Sequence, residues 1–157
     1  MSKNLVKKLK RKHETVHVID YDYSVRRLFE EHGYKHVGED DNPDLVVFTG
    51  GSDISSSLYG EKHYISKRES ILSDRDKREV ALFKKFIDTP KAGICRGGQL
   101  FNVLSGGSMY QDVTNHVGGT GHTCVDLLGL FDRNIYLNSC HHQMMNKEKK
   151  GELIAFT

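Results

Sequence analysis

Short apolar runs alternate with helix-spaced apolar positions along the chain. The runs at residues 16–20 and 44–48 are rich in β-branched residues, and each predicts a strand. The second run lies between a proline and a pair of glycines, as is typical of a strand buried on both faces of a parallel sheet. A third apolar segment covers residues 92–94. Shorter β-like segments follow at residues 122–127, 134–138 and 152–156.

Three further segments have the apolar spacing of helices. The first covers residues 24–32, and the third runs from residue 96 to Gly106. The second begins at Ser73 and is predicted to place three apolar side chains on one face, at Val80, Phe83 and Ile87. Because strands alternate with helices, we predict an α/β fold: a doubly wound, mostly parallel sheet with flanking helices.

Size and composition favour one globular domain. The chain has 157 residues, of which 37% are hydrophobic and 28% charged, and no apolar run is long enough to cross a membrane. The basic N-terminus lacks the apolar stretch of a secretory signal. The three cysteines suggest no disulfide framework, so we expect a reducing, cytoplasmic environment.

The charge is unevenly distributed. Six basic residues and no acidic residue lie within the first twelve positions, so subtracting them from the net charge of +2 leaves −4 for the rest. We therefore divide the chain into a basic N-terminal tail, residues 1–14, and an α/β domain, residues 15–157. A basic tail can contact nucleic acid or an acidic partner, but a solvated leader is the favoured interpretation.

Residues 93–99 carry the most informative motif. Their sequence, Gly-Ile-Cys-Arg-Gly-Gly-Gln, places Cys95 between a short apolar segment and a helical pattern. This arrangement predicts a strand–elbow–helix turn, in which small neighbours allow the backbone to pack closely around a nucleophile. The N-terminus of the following helix favours the thiolate form of the side chain.

A second glycine-rich turn, Gly50-Gly51, follows the predicted strand at residues 44–48. In doubly wound sheets, reactive groups gather on loops beyond the carboxyl ends of the strands, where both this turn and Cys95 are expected. A backbone N–H of this turn and the N–H of Arg96 could together form an oxyanion hole beside Cys95.

A cysteine nucleophile also needs a base, and the chain has nine histidines. His141 and His142 follow a predicted strand, while His116 and His122 flank a glycine-rich loop. These histidines and the two other cysteines lack the spacing of a zinc site, so we expect no metal and assign Cys124 and Cys140 to the core.

Together these motifs resemble the class I glutamine amidotransferase-like superfamily. The most similar branch is the γ-glutamyl hydrolase branch (peptidase C26), typified by γ-glutamyl-γ-aminobutyrate hydrolase. The resemblance covers about residues 16–145. Four blocks match in order: Gly-Gly-Ser-Asp with Leu-Tyr-Gly-Glu (residues 50–61), Arg-Asp-x-x-Glu (residues 75–79), the elbow block (residues 93–113) and Asn-Ser-x-His-His-Gln (residues 138–143).

The resemblance implies roles for these residues. Cys95 is expected to attack a γ-glutamyl amide and form a glutamyl thioester, which water then hydrolyses without any cofactor. Gly51 and Arg96 are expected to offer N–H groups to the oxyanion. Four residues are expected to bind the substrate, namely Gly50, Gln99, His141 and His142. The substrate would be glutamine or another γ-glutamyl amide, and a synthase that receives ammonia is the alternative partner; we expect no membrane or nucleic-acid partner.

One departure from the family pattern affects the expected activity. The family carries its catalytic histidine and acidic partner in a later His-Pro-Glu segment, and neither Pro43 nor Pro90 follows a histidine here. The domain is therefore expected to be C-terminally incomplete, or to be an inactive binding module, or to recruit His141 or His142 as base. Since losing the base of a catalytic triad costs several orders of magnitude in rate, we expect this polypeptide to be weakly active or inactive.

Overall fold

The computed structural model describes residues 14–61, 71–114, 116, 121–129 and 135–156. The basic tail predicted for residues 1–14 therefore lies almost entirely outside the described residues, as does the glycine-rich loop after His116. The strands are β1 (Thr15–Val18), β2 (Lys35–His36), β3 (Leu45–Phe48), β4 (Lys91–Gly93), β5 (Ser108–Tyr110), β6 (Gly121–Asp126), β7 (Ile135–Asn138), β8 (Met144–Asn146) and β9 (Ala155–Phe156). The α-helices are α1 (Tyr23–Glu31), α2 (Asp74–Lys85) and α3 (Arg96–Leu104), and short 3₁₀ turns cover Ile19–Tyr21 and Ser56–Tyr59.

A four-stranded parallel sheet organises the fold. Its order is β2-β1-β3-β4, with Val16 opposite Leu45 and Phe48 opposite Gly93. Strand β3 is internal, and the side chains of Val46, Val47 and Phe48 are fully buried. The sheet confirms the predicted α/β class, and the continuous apolar run at residues 44–48 reflects burial of β3 on both faces.

The α-helices begin where their sequences supply caps. Asp22 accepts hydrogen bonds from the N–H groups of Ser24 and Val25 at the start of α1. Ser73 accepts a hydrogen bond from the N–H of Asp76 at the start of α2, as the sequence predicted. Helix α3 has Cys95 at its N-cap position, and no side chain caps it.

The main core lies between the sheet and helices α2 and α3. Its buried members come from one face of the sheet, the loop after β3 and both helices: Ile19, Val46, Phe48, Ile54, Leu82, Phe86, Leu100, Val103 and Met109. A smaller cluster of Val16, Val18 and Val47 packs on the other face against Val25 and Phe29 of α1. Helices therefore cover both faces of the sheet, and the carboxyl ends of β3 and β4 are left at one edge.

Three details of the predicted elements are wrong. Strand β1 ends at Val18, and residues 19–20 belong to a 3₁₀ turn in which Asp20 has a positive φ of 64°. Ile87 lies beyond the end of α2 and is exposed, because Leu82 and Phe86 occupy the core positions instead. The strand predicted for residues 152–156 is reduced to Ala155–Phe156.

The remaining strands form two small antiparallel units. Strand β5 pairs with β8, and β6 pairs with both β7 and β9. The chain between β7 and β8, which contains His141 and His142, connects these two units. In the described part of the chain, no helix has the length and apolar character needed to cross a bilayer.

Candidate active site

Cys95 occupies a strained turn between β4 and α3. Its backbone has φ 52° and ψ −112°, a conformation that non-glycine residues rarely adopt. The turn is fixed on both sides, because the N–H of Ile94 donates to the carbonyl of Phe48 and that of Gln99 donates to the carbonyl of Cys95. The side chain is exposed. This is the geometry of a nucleophile elbow, with the sulfur presented at the free N–H end of a helix.

The glycines around Cys95 are required by close backbone packing. A Cβ atom at Gly97 would lie 2.3 Å from the carbonyl oxygen of Phe48, and one at Gly93 would lie 2.5 Å from backbone atoms of Gly97 and Gly98. On the opposite side, a Cβ atom at Gly50 would lie 3.6 Å from the Cβ atom of Cys95. The two glycine-rich turns singled out in the sequence are thus brought together at the edge of the sheet.

Cys95 opens onto a cavity of about 370 Å³. The predicted site residues Gln99 and His141 line the cavity, together with Gln143. Gln143 is 1% exposed, and among the described residues neither atom of its side-chain amide has a hydrogen-bond partner. A buried amide without partners is costly, so this group is available to bind a polar ligand.

The ring of His141 is held in one orientation. Its Nδ1 lies 2.9 Å from the carbonyl oxygen of Gln143. Since a carbonyl oxygen only accepts hydrogen bonds, Nδ1 is the donor, and in the neutral ring Nε2 carries the lone pair. The ring also packs against His116, which in turn stacks on His122 at 4.6 Å between centroids. Burial and these two neighbouring imidazoles lower the pKa of His116.

His142 has a different environment from His141. It is absent from the lining of the cavity, and its Nε2 lies 2.8 Å from a carboxylate oxygen of Asp53. Its Nδ1 lies 3.5 Å from a carboxylate oxygen of Asp112, and its carbonyl accepts a hydrogen bond from the N–H of Val113. The structure therefore separates the two adjacent histidines, since one faces the cavity and the other is held by carboxylates.

A buried cluster of charged side chains lies beneath the elbow. The guanidinium of Arg96 donates to a carboxylate oxygen of Asp76 and to one of Glu79, and all three side chains are at most 1% exposed. Asp76 also accepts hydrogen bonds from the hydroxyls of Ser55 and Ser73. Burial raises the pKa of Asp76, but these hydroxyls and the Arg96 guanidinium outweigh it, and the net pKa is lowered.

Some features of the site could not be recognised in the sequence. Gln143 ends the Asn-Ser-x-His-His-Gln block, but only the fold shows that its amide is buried and unpartnered. Cys140, assigned to the core with Cys124, is exposed, and the buried residue of that segment is the preceding Ser139. In the described part of the chain, no group of three or more potential ligand side chains is placed to hold a metal ion.

Comparison with known proteins identifies the family. The sequence profile of the peptidase C26 family matches residues 41–155. The chain belongs to the peptidase C26 family. It is therefore a member of the class I glutamine amidotransferase-like superfamily.

Similar proteins in bacteria carry related names. The glutamine amidotransferase-like protein YvdE of Lactococcus lactis subsp. lactis is 35% identical over 126 residues, covering 69% of this chain and 53% of that protein. Its homologue in L. lactis subsp. cremoris is 34% identical over 128 residues, covering 69% and 66%. Protein NtpR of Enterococcus hirae is 41% identical over 78 residues, covering 48% and 32%. The matched region thus spans from one third to two thirds of the length of these relatives.

Solved structures support the fold. A GMP synthase component from Thermoplasma acidophilum superposes with a TM-score of 0.62 at 19% identity, covering 92% of this chain and 73% of that chain. A glutamine amidotransferase from Methylobacillus flagellatus superposes with a TM-score of 0.54 at 15% identity, covering 92% and 61%. At these identities the similarity concerns the fold alone.

Proposed function

We propose that this protein hydrolyses a γ-glutamyl amide through a thioester on Cys95. The observation that carries the proposal is the strained backbone of Cys95, which presents an exposed sulfur at the start of α3. The unpartnered amide of Gln143 in the same cavity supports a polar, amide- or carboxylate-bearing substrate. Membership of a family whose relatives are named amidotransferase-like agrees with this chemistry.

The proposed reaction has two half-reactions. The Cys95 thiolate attacks the γ-carbonyl carbon, and the carbonyl electron pair moves onto the oxygen, which accepts hydrogen bonds from the N–H groups of Gly51 and Arg96. Collapse of this intermediate expels the amine, which takes up a proton, and leaves a glutamyl thioester. Water then attacks the thioester in the same way, releasing glutamate and restoring the thiol.

We assign the proton transfers to His141. Of the described histidines, His141 is the one that lines the cavity with Cys95, and its Nε2 is free to accept a proton because Nδ1 is engaged by the carbonyl of Gln143. His142, bound by Asp53 and Asp112, is assigned a supporting role: it fixes the segment that carries His141 and Gln143.

The glutamyl moiety is assigned to the polar end of the cavity. The side chain of Gln99 is 8% exposed, and its Nε2 lies 3.4 Å from the carbonyl oxygen of Gln143. The two amides therefore lie close together on one wall, and they supply donors and acceptors for the amino and carboxylate groups of the substrate. Gly50 shapes the opposite wall by allowing close approach to Cys95.

The test is release of ammonia or amine from glutamine and a panel of γ-glutamyl amides. The Cys95→Ala variant is compared with Cys140→Ala, which removes another exposed cysteine that is absent from the cavity lining. We expect slow turnover in the unmodified protein and in Cys140→Ala, and none in Cys95→Ala. Equal turnover in Cys95→Ala, or none in any of the three proteins, would overturn the proposal.

A second candidate function is supply of ammonia to a synthase. The names of the similar proteins favour it, because amidotransferase domains pass the ammonia of glutamine to a partner reaction. The same substrate panel separates the two candidates. A stand-alone hydrolase accepts γ-glutamyl amides with large leaving amines, whereas an ammonia-supplying domain accepts glutamine alone.

A further inference from the structure

One arginine of α2 contacts the Gly50-Gly51 turn directly. An Nη atom of Arg75 lies 2.9 Å from the carbonyl oxygen of Gly50, and the guanidinium fills the space that a side chain on Gly51 would occupy. A Cβ atom at Gly51 would lie 2.1 Å from the other Nη, and the φ of Gly51 is +144°. This turn therefore takes its shape against the arginine.

The contact fixes the direction of the Gly51 N–H. The carbonyl of Gly50 and the N–H of Gly51 belong to one peptide unit, which is trans, so the two groups point in opposite directions. When Arg75 holds the carbonyl on its own side, the N–H is turned to the other side. Gly50 adjoins Cys95, so this N–H is directed by Arg75 next to the nucleophile.

Glu79 links this turn to the elbow. One of its carboxylate oxygens lies 2.8 Å from Nε of Arg75, and the other accepts a hydrogen bond from the guanidinium of Arg96. The Glu79 side chain is fully buried, so both contacts are made away from water. Arg96 is the residue whose backbone N–H is the second proposed oxyanion donor.

The position of Arg75 is further restrained by the turn after β1. Its Nε also lies 3.0 Å from a carboxylate oxygen of Asp20, whose backbone has a positive φ. The second carboxylate oxygen of Asp20 is bound by Arg78, one helical turn along α2 from Arg75. With its Nε shared by two carboxylates and its Nη on Gly50, the guanidinium has little freedom to rotate.

We propose that Arg75 and Glu79 are positioning residues that set the spacing and direction of the two N–H groups of the oxyanion hole. This inference rests on the proposed function, because it takes Gly51 and Arg96 as the donors. A single carboxylate, that of Glu79, couples the two donor segments, so a change at either arginine displaces one donor relative to the other. Neither Arg75 nor Glu79 is required to touch the substrate.

The test separates oxyanion binding from thiol reactivity. 5-Oxopentanoate, the γ-aldehyde of glutamate without its amino group, forms a hemithioacetal: the sulfur bonds to the aldehyde carbon, and the carbonyl electron pair moves to the oxygen, which water protonates. That oxygen occupies the oxyanion hole. Alkylation by iodoacetamide displaces iodide at a carbon and needs no oxyanion hole. Protection of Cys95 from iodoacetamide by the aldehyde, followed by peptide mass spectrometry, measures both properties in one experiment.

The main variant is Arg75→Lys, which retains the charge but cannot hold Glu79, Asp20 and Gly50 at once. Its matched control is Arg27→Lys, because Arg27 forms the same i,i+4 pair with Glu31 on the exposed surface of α1. Glu79→Gln is a second variant, since it retains the shape of the side chain. Thermal unfolding identifies any variant that fails to fold, and Cys140 serves as the internal alkylation standard.

We expect Arg75→Lys to weaken aldehyde protection at least 10-fold while its rate of Cys95 alkylation stays within about 2-fold of wild type. Arg27→Lys is expected to match wild type in both measurements. Unchanged aldehyde protection in a folded Arg75→Lys or Glu79→Gln protein would overturn the inference, as would parallel losses of protection and alkylation. If the aldehyde fails to protect Cys95 in the wild-type protein, the proposed function itself fails, and that result is seen before any variant is made.

Discussion

Replacing Gly97 by alanine is expected to displace the elbow, whereas the same replacement at Gly98 is not. Both glycines lie in the first turn of α3 and differ in what faces them. A Cβ at Gly97 would lie 2.3 Å from the carbonyl oxygen of Phe48 and 2.7 Å from its carbonyl carbon. At Gly98 the nearest atom is the carbonyl oxygen of Gly93, at 3.4 Å, which is ordinary van der Waals contact.

The magnitude follows from these distances. Favourable separations between non-bonded carbon atoms are about 3.5 Å, so Gly97→Ala requires α3 to move about 1 Å away from β3. Overpacking costs about 1–3 kcal/mol, and this site lies at the upper end because backbone atoms face the new methyl group. Gly98→Ala gains up to about 1 kcal/mol from helix propensity. The two variants should therefore differ by about 3–4 kcal/mol, or roughly 10 °C in Tm for a chain of this size.

Two measurements check this prediction. Urea and thermal unfolding, followed by circular dichroism, give the stability of each variant. Alkylation of Cys95 by iodoacetamide, relative to Cys140 in the same molecule, reports whether the elbow still presents the sulfur. We expect Gly97→Ala to lose both stability and the reactivity of Cys95, and Gly98→Ala to keep both. If Gly97→Ala matched Gly98→Ala in both measurements, the tight packing of the elbow against β3 would be refuted.

Three further predictions follow from burial and charge. Arg96→Leu leaves buried carboxylates unpaired and should cost about 3–5 kcal/mol in urea unfolding, whereas the exposed Arg27→Leu should cost under about 1 kcal/mol; equal losses would refute the argument. Because the folded pKa of Asp76 is lowered, its stabilising contribution is present above the unfolded pKa of about 4 and is lost as pH falls through the folded value. Unfolding free energies that fell less between pH 6 and pH 3 in Asp76→Asn would support this; identical slopes would contradict it. Finally, native-state alkylation should modify Cys140 and spare the buried Cys124, and the reverse order would show that β6 is misplaced.

The central sheet and the elbow could be predicted because their signals are local. The continuous apolar run of β3 arises from burial on both faces, and the glycines near Cys95 arise from direct backbone contact. Each feature depends on neighbours close in the chain or on a strand of the same parallel unit. For the same reason the sequence correctly indicated where α2 begins, at Ser73.

The side-chain network behind the site could not be predicted. The block from Arg75 to Glu79 was recognised as part of the family resemblance, but its contacts reach residues far away in the chain, namely Gly50 and Arg96. Arg96 was expected to contribute its backbone N–H, and its fully buried side chain was not foreseen. Partners in a buried ion cluster are chosen by tertiary packing, which leaves no periodic trace in the sequence.

The most direct test of the proposed chemistry is to trap the acyl-enzyme. The protein is mixed with glutamine, quenched in acid within seconds and mapped by peptide mass spectrometry. The mechanism predicts a glutamyl adduct on the peptide containing Cys95, which disappears on treatment with hydroxylamine. Absence of any adduct under conditions where ammonia is released, or an adduct on Cys140 instead, would contradict the assignment of Cys95 as the nucleophile.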